Sequence, residues 1–89
     1  MRHATDEDLN RLEPLLGALR RTPGLRERRR GSFSRGSRAF LHFHADGGDF
    51  YADVRLDDRF ERVKVTNPKE HEELLSRVRE VLDRSSASQ

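Results

Sequence analysis

Residues 39–65 read AFLHFHADGGDFYADVRLDDRFERVKV, and apolar and polar side chains alternate along them. This period of two is typical of strands that bury one face. The alternation falls into three runs, at residues 39–45, 50–56 and 59–65. Gly47-Gly48 favours a hairpin turn between the first two runs, because glycine adopts the positive φ angles that such turns need. Asp57-Asp58 marks the next turn, so three consecutive antiparallel strands are predicted.

The pairing register assigns the two faces of this sheet. A register that joins apolar to apolar residues places Leu41 opposite Val54 and, on the other face, His42 opposite Asp53. The predicted core face carries Leu41, Phe43, Phe50, Ala52, Val54, Leu56, Val63 and Val65. The predicted open face carries Phe40, His42, His44, Tyr51, Asp53, Arg55, Phe60, Arg62 and Lys64.

A weaker strand signal precedes these runs. Residues 32–35 (SFSR) fit a short strand, and Gly36-Ser37 fits the turn after it. Regular pairing through that turn adds Phe33 to the open face, which then holds three phenylalanines. An exposed apolar patch of this kind usually marks a contact surface. Residues 25–31 (LRERRRG) have no clear period.

A helix signal precedes the strands. Thr5 fits an N-cap with Asp8 at the capping-box position, and leucines follow at helical spacing up to Leu19. Pro14 predicts either a kink or a helix that restarts at Glu13, because proline has no N–H to donate to the preceding turn.

A second helix signal follows the strands. Asn67 fits its cap, with Pro68 at the first position and Glu70 at the capping-box position. Residues 85–89 are predicted to form a disordered tail, and residues 1–84 a single domain. The predicted fold class is α+β: a helix, a four-stranded antiparallel meander and a helix, with both helices on one face of the sheet.

Composition excludes several classes of protein. The chain has 89 residues and no cysteine, so disulfides and thiolate metal sites are excluded. The first ten residues, MRHATDEDLN, have no apolar core, so no signal peptide is predicted. Apolar runs reach three residues at most, so no membrane span is predicted. We therefore expect a cytoplasmic protein.

Positive charge is concentrated in residues 20–38, where eight arginines and one glutamate give a net charge of +7. Together with the aromatic residues of the open face, this block resembles the basic sheets that stack bases and contact phosphates. The alternative is a solvated loop. Arginine outnumbers lysine sixteen to two in the whole chain, which is a bias expected from a GC-rich bacterial genome.

Two stretches resemble the small bacterial YjbR/MmcQ-like proteins. One is GSFSRGSRAFLHF (Gly31 to Phe43), which falls where the first hairpin of that family lies, and the other is DFYADVRL (Asp49 to Leu56), which is similar to its next strand. The resemblance implies a DNA-binding-type α/β fold with no assigned catalytic residues. No site residue is carried over from it.

His42 and His44 form a His-x-His pair whose imidazoles project from one face of a strand, about 7 Å apart. Asp53, opposite His42, would complete a set of two histidines and one carboxylate, a combination that binds metals. The alternative, which we favour, is that Asp53 pairs with Arg62 across the strands, so no metal or other cofactor is expected. A His42–Asp53 catalytic dyad would have only serine or Tyr51 as nucleophile, so no enzyme is predicted. The two other histidines are isolated and are predicted to be ordinary surface residues.

The sequence thus predicts a small interaction module of unknown function that associates with itself, as a homodimer, through the open face. The alternative is a nucleic-acid-binding protein that uses the arginine block and the aromatic sheet face. The predicted binding residues are Phe40, His42, His44, Tyr51, Arg55, Phe60, Arg62 and Lys64.

Overall fold

The computed structural model describes residues 1–87 as three helices and six strands. The helices are α1 (Asp6–Arg11), α2 (Glu13–Arg20) and α3 (Pro68–Ala87). The strands are β1 (Arg2–His3), β2 (Leu25–Arg29), β3 (Ser32–Arg35), β4 (Arg38–Asp46), β5 (Asp49–Val54) and β6 (Glu61–Lys64). The fold class is α+β with an antiparallel sheet, as the sequence predicts.

Five of the strands form a meander in the order β2-β3-β4-β5-β6. The sixth, β1, pairs with β4 through His3 and His44, beyond the part of β4 that β3 covers. The sheet thus has two strands more than predicted, β1 and β2. β2 (LRERR) has a single apolar residue, so its sequence shows no apolar–polar alternation, and β1 is too short to show any.

The central strands have the predicted register. The turn at Gly47-Gly48 pairs Leu41 with Val54 and His42 with Asp53, and both glycines have positive φ, 58° and 88°. The buried residues of the predicted core face are Leu41, Phe43, Phe50, Ala52, Val54 and Val65. Leu56 and Val63 are partly buried at its margin.

A β-bulge in β4 changes the predicted position of two phenylalanines. β3 pairs Ser34 with Ala39 but Phe33 with Leu41, so Phe40 is an extra residue on β4. Phe40 and Leu41 together therefore oppose Phe33. All three side chains lie in the core, where Phe40 is 1% exposed and Phe33 is 2% exposed. The prediction that Phe40 and Phe33 lie on the open face is therefore wrong.

The amino-terminal helical region begins at the predicted cap and is interrupted at Pro14 as predicted. The Thr5 hydroxyl accepts a hydrogen bond from the Asp8 N–H, and the Asp8 carboxylate accepts one from the Thr5 N–H. This reciprocal pair is the predicted capping box. The chain leaves α1 at Leu12 and re-enters a helix at Glu13, because Pro14 cannot continue the hydrogen bonds of the first helix.

The carboxyl-terminal helix is also capped as predicted. The Asn67 side-chain oxygen accepts from the Glu70 N–H, and the Glu70 carboxylate accepts from the Asn67 N–H. α3 continues to Ala87, further than the predicted helix end at residue 84. Residues 88 and 89 of the predicted tail lie outside the described residues.

The helices cover the face of the sheet that holds Val54. Leu9 of α1, Leu16 of α2 and Leu74 of α3 share one buried cluster with Val54 and the rest of the core face. The opposite face, which holds the paired His42 and Asp53, carries none of these helices. None of the described helices combines the length and the apolar character needed to cross a membrane.

Candidate functional site

The open face, opposite the helices, carries seven of the eight predicted binding residues. Of these seven residues, His44 is buried. The half-buried ones are His42, Tyr51 and Arg55, and the exposed ones are Phe60, Arg62 and Lys64. Phe40 is the exception, because the bulge in β4 turns it into the core.

Two imidazoles meet one carboxylate at the centre of this face. Nε2 of His44 lies 3.0 Å from Oδ2 of Asp53, and Nε2 of His42 lies 3.4 Å from the same oxygen. One nitrogen from each ring and one oxygen of the carboxylate all lie within 4.8 Å of one another. Cross-strand pairing explains this convergence, since Asp53 of β5 pairs with His42 of β4. These three residues are called the His42–His44–Asp53 cluster below.

Asp53 also forms the predicted ion pair with Arg62. Nε of Arg62 donates to Oδ1 at 2.8 Å, and Nη2 donates to Oδ2 at 2.9 Å. The hydrogen bonds from Arg62 hold the pKa of the Asp53 carboxyl below its ordinary value, and they raise the pKa of the Arg62 guanidinium. Asp53 is therefore a carboxylate near neutral pH.

The two imidazoles of the cluster are shielded from water. Burial lowers the pKa of His42, and the charge of Asp53 opposes that shift. His44 is only 9% exposed, and within the described residues its Nε2 atom makes no hydrogen bond of acceptable geometry. Its 3.0 Å contact with Asp53 is therefore a close approach without an aligned donor. A buried nitrogen in this condition is costly.

Phe60 and Arg55 flank the cluster. The Phe60 ring meets the His42 ring edge-on, with centroids 5.3 Å apart, and Cζ of Arg55 lies 4.5 Å from the Phe60 centroid. This is a cation–π contact. Phe60 is 38% exposed. Among the described residues, the exposed large hydrophobic side chains are Phe60 and Met1. The open face therefore presents much less apolar surface than the sequence predicts.

His3 lies beside the cluster, although the sequence predicts that it is an isolated surface residue. β1 pairs His3 with His44 and brings their ring centroids to 4.7 Å. The His3 centroid lies 6.2 Å from that of His42. A strand of two residues has no period, so no pattern in the sequence indicates this contact.

The arginines of residues 20–38 fall into two groups. Arg20 pairs with Glu13 and Glu27, and Arg30 also pairs with Glu13. The six without an ion pair among the described residues are Arg21, Arg26, Arg28, Arg29, Arg35 and Arg38. The last five lie on the β2–β3 hairpin and at the start of β4, and they are called the basic edge below.

Two clefts open beside the basic edge. One has a volume of about 640 Å³ and is lined at one side by Arg28 and Arg29, with Ser32, Ser34 and Ser37. The other has a volume of about 550 Å³, and its lining includes Arg35, Arg38, Arg55 and Arg84 together with Asp57 and Asp58. Both clefts thus expose guanidinium groups that can bind an anion.

Comparison with known proteins adds no relative. No family model, no curated protein and no solved structure matches the chain at a significant level. The resemblance to the YjbR/MmcQ-like proteins therefore stays a prediction.

Proposed function

We propose that this chain is a nucleic-acid-binding module whose basic edge contacts the phosphate backbone. The observation that supports the proposal is a group of five arginines on one hairpin and its continuation: Arg26, Arg28, Arg29, Arg35 and Arg38. None of them has an ion-pair partner in the described part of the chain. Like charges on one hairpin repel one another, and a polyanion relieves that repulsion. Guanidinium also matches phosphate geometry better than ammonium does.

The five arginines are distributed along the backbone of the hairpin and its continuation. Arg28 and Arg29 lie at the β2–β3 turn, Arg35 and Arg38 lie at the β3–β4 turn, and Arg26 lies on β2 between them. A strand rises by about 3.3 Å per residue, so the two turns are about 10–15 Å apart along the backbone. Phosphates follow one another at about 3.4 Å of rise along each strand of a duplex, so several of them fit this length.

The proposed contacts carry little sequence information. Phosphate contacts position a protein on nucleic acid, while contacts to base edges specify the sequence. Tyr51 and Phe60 are the aromatic residues of the open face, and Phe60 is already in contact with Arg55. A stacking platform that includes Phe33 and Phe40 does not form, because both lie in the core. We therefore expect binding that depends on charge and tolerates different sequences.

Fluorescence anisotropy of a labelled oligonucleotide, measured over a range of salt concentrations, tests the proposal. If three to five arginines contact phosphates, the logarithm of the affinity falls against the logarithm of the salt concentration with a slope of about −2 to −3.5 for a single strand. A duplex of the same sequence, measured in parallel, shows which form of nucleic acid the basic edge prefers.

A pair of double variants localises the contact. Arg35→Gln with Arg38→Gln removes two charges from the basic edge, so the affinity falls and the slope becomes shallower by about 1.4. The matched control, Lys69→Gln with Arg79→Gln, removes two exposed charges from α3 and leaves both quantities at the wild-type values. The proposal is wrong if the wild-type chain ignores nucleic acid at low salt, or if the two double variants weaken binding equally.

Self-association through the open face stays a prediction. Phe60 supplies most of the apolar area of the open face, since Phe33 and Phe40 lie in the core. Sedimentation of the chain without nucleic acid separates the two functions. A stable dimer that Phe60→Ala dissociates would favour self-association, whereas a monomer that binds the oligonucleotide agrees with the proposed function.

A further inference from the structure

We propose that the His42–His44–Asp53 cluster binds a divalent transition-metal ion of the zinc type. Two imidazole nitrogens and one carboxylate oxygen are ligands that zinc and its neighbours in the first transition series accept, with further positions left to water. No arginine of the basic edge belongs to the cluster, so this inference is independent of the proposed function.

The distances within the cluster fit a shared ion. An ion about 2.1 Å from each ligand in tetrahedral geometry holds neighbouring ligand atoms about 3.4 Å apart. Oδ2 of Asp53 lies 3.0 Å from Nε2 of His44 and 3.4 Å from Nε2 of His42. One nitrogen of each ring and one carboxylate oxygen lie within 4.8 Å of one another. The convergence is rigid, because both histidines lie on β4 and Asp53 lies on the strand paired with it.

The state of His44 is a second observation. Its Nε2 atom is buried and points to within 3.0 Å of the carboxylate, yet it forms no aligned hydrogen bond within the described residues. Buried polar atoms normally have a partner, and each one that lacks a partner needs an explanation. A metal ion bonded to this nitrogen would satisfy it without an aligned donor or acceptor. The neutral form of an imidazole offers the lone pair that such a bond needs.

Arg62 contributes to the site from the far side of the carboxylate. It donates one hydrogen bond to each oxygen of Asp53, and a carboxylate has about four lone-pair positions. Oδ2 therefore keeps a position for the ion, while Arg62 orients the carboxylate as outer-shell partners of metal ligands do. The positive charge of Arg62 also repels a cation, so we expect weaker binding than in a structural zinc site.

Isothermal titration of Zn²⁺ into the untagged full chain tests the inference. We expect one ion per chain and a rise in the midpoint of thermal unfolding, because an ion that binds the folded state stabilises it. Co²⁺ in the same site should show the visible absorption of a low-coordinate complex with nitrogen and oxygen ligands. A wild-type chain that binds no Zn²⁺ overturns the proposal.

Single substitutions decide whether the cluster holds the ion. His42→Ala should weaken Zn²⁺ binding by about 100-fold or more, since even outer-shell partners are worth about 10–100-fold. Asp53→Asn should do the same. The matched control is His71→Ala, because His71 lies away from the cluster, with its Nε2 atom 2.8 Å from the Val65 carbonyl oxygen. Circular dichroism checks that each variant folds, and His42 is half-buried, so its replacement leaves the core intact.

Each outcome for these variants either supports the proposed metal site or overturns it. Wild-type affinity in His42→Ala overturns the proposal, as does an equal loss in His71→Ala, which would indicate binding by surface histidines in general. Loss in His42→Ala and Asp53→Asn with retention in His71→Ala supports the site.

Discussion

At the scale of single residues, Phe40 determines how much apolar surface the open face presents. Strict alternation along β4 places Phe40 opposite to Leu41, but the bulge inserts Phe40 as an extra residue and both lie in the core. Nothing in the side-chain pattern predicts the bulge, because Gly36-Ser37 permits regular pairing as well. A shift of one residue changes the face of every residue beyond it, which is why Phe33 also lies in the core.

Replacement of two phenylalanines tests this arrangement. Phe40→Ala should destabilise the fold by about 3–5 kcal/mol, because it removes a fully buried ring and leaves a cavity. Phe60→Ala should cost about 1 kcal/mol or less, since that ring is partly exposed at the surface. Urea unfolding of both variants measures the difference. If Phe40→Ala does not fold, Phe40→Leu gives a smaller loss that can be measured. Equal losses for Phe60 and Phe40 would contradict the bulge.

The sequence predicts that the three cluster residues lie together, but it does not predict that His3 lies beside them. The hairpin turn at Gly47-Gly48 fixes the register of β4 and β5, and that register alone places Asp53 beside His42 and His44. The position of His3 depends on β1, whose two residues pair with β4 over a long distance along the chain. Local patterns contain no information about such a contact.

At the scale of elements, the starts of the helices follow local chemistry closely. α1 has only six residues, so its capping box satisfies a large share of its backbone donors. Asp8 serves this cap and also pairs with Arg2 of β1, which ties the first strand to the first helix. Capping signals are read within four residues of sequence, which explains why the starts of α1 and α3 could be predicted while the strands β1 and β2 could not.

The pH dependence of stability tests the role of Asp8. The hydrogen bond from Arg2, followed by that from the Thr5 N–H, lowers the pKa of the Asp8 carboxyl from 3.8 to about 2. A carboxyl whose pKa is lower in the folded state stabilises the fold above its unfolded pKa, and the contribution is lost as the pH falls towards the folded pKa. The stability due to Asp8 is therefore present at neutral pH and lost between about pH 4 and pH 2.

Asp8→Asn should accordingly lower the free energy of unfolding at neutral pH by about 1 kcal/mol, as for the loss of a helix cap. The variant should also lose less stability on acidification than the wild-type chain does. Urea unfolding at about pH 7 and about pH 2.5 measures both effects. Asp57→Asn is the control, because Asp57 is exposed and has no ion pair in the described part of the chain. An Asp8→Asn chain as stable as wild type at neutral pH, or as sensitive to acid, would show that the cap contributes little.

At the scale of the whole molecule, the fold separates two surfaces. Three helices bury one face of the sheet and leave the other open. Five arginines of the block lie on the outer hairpin of that sheet and its continuation and form no ion pair within the described residues, while Arg20 and Arg30 form ion pairs with α2 and β2. Counting charges along the sequence predicts the block, but only the tertiary structure shows which of its arginines are free to meet a phosphate.

A nuclear magnetic resonance titration of the isotope-labelled chain with a short oligonucleotide at low salt tests the proposed function most directly. The proposed function predicts that the largest shift changes fall on the backbone amides of residues 26–38, with no comparable changes in α3. Largest changes in α3, or spectra that the oligonucleotide leaves unchanged, would contradict it.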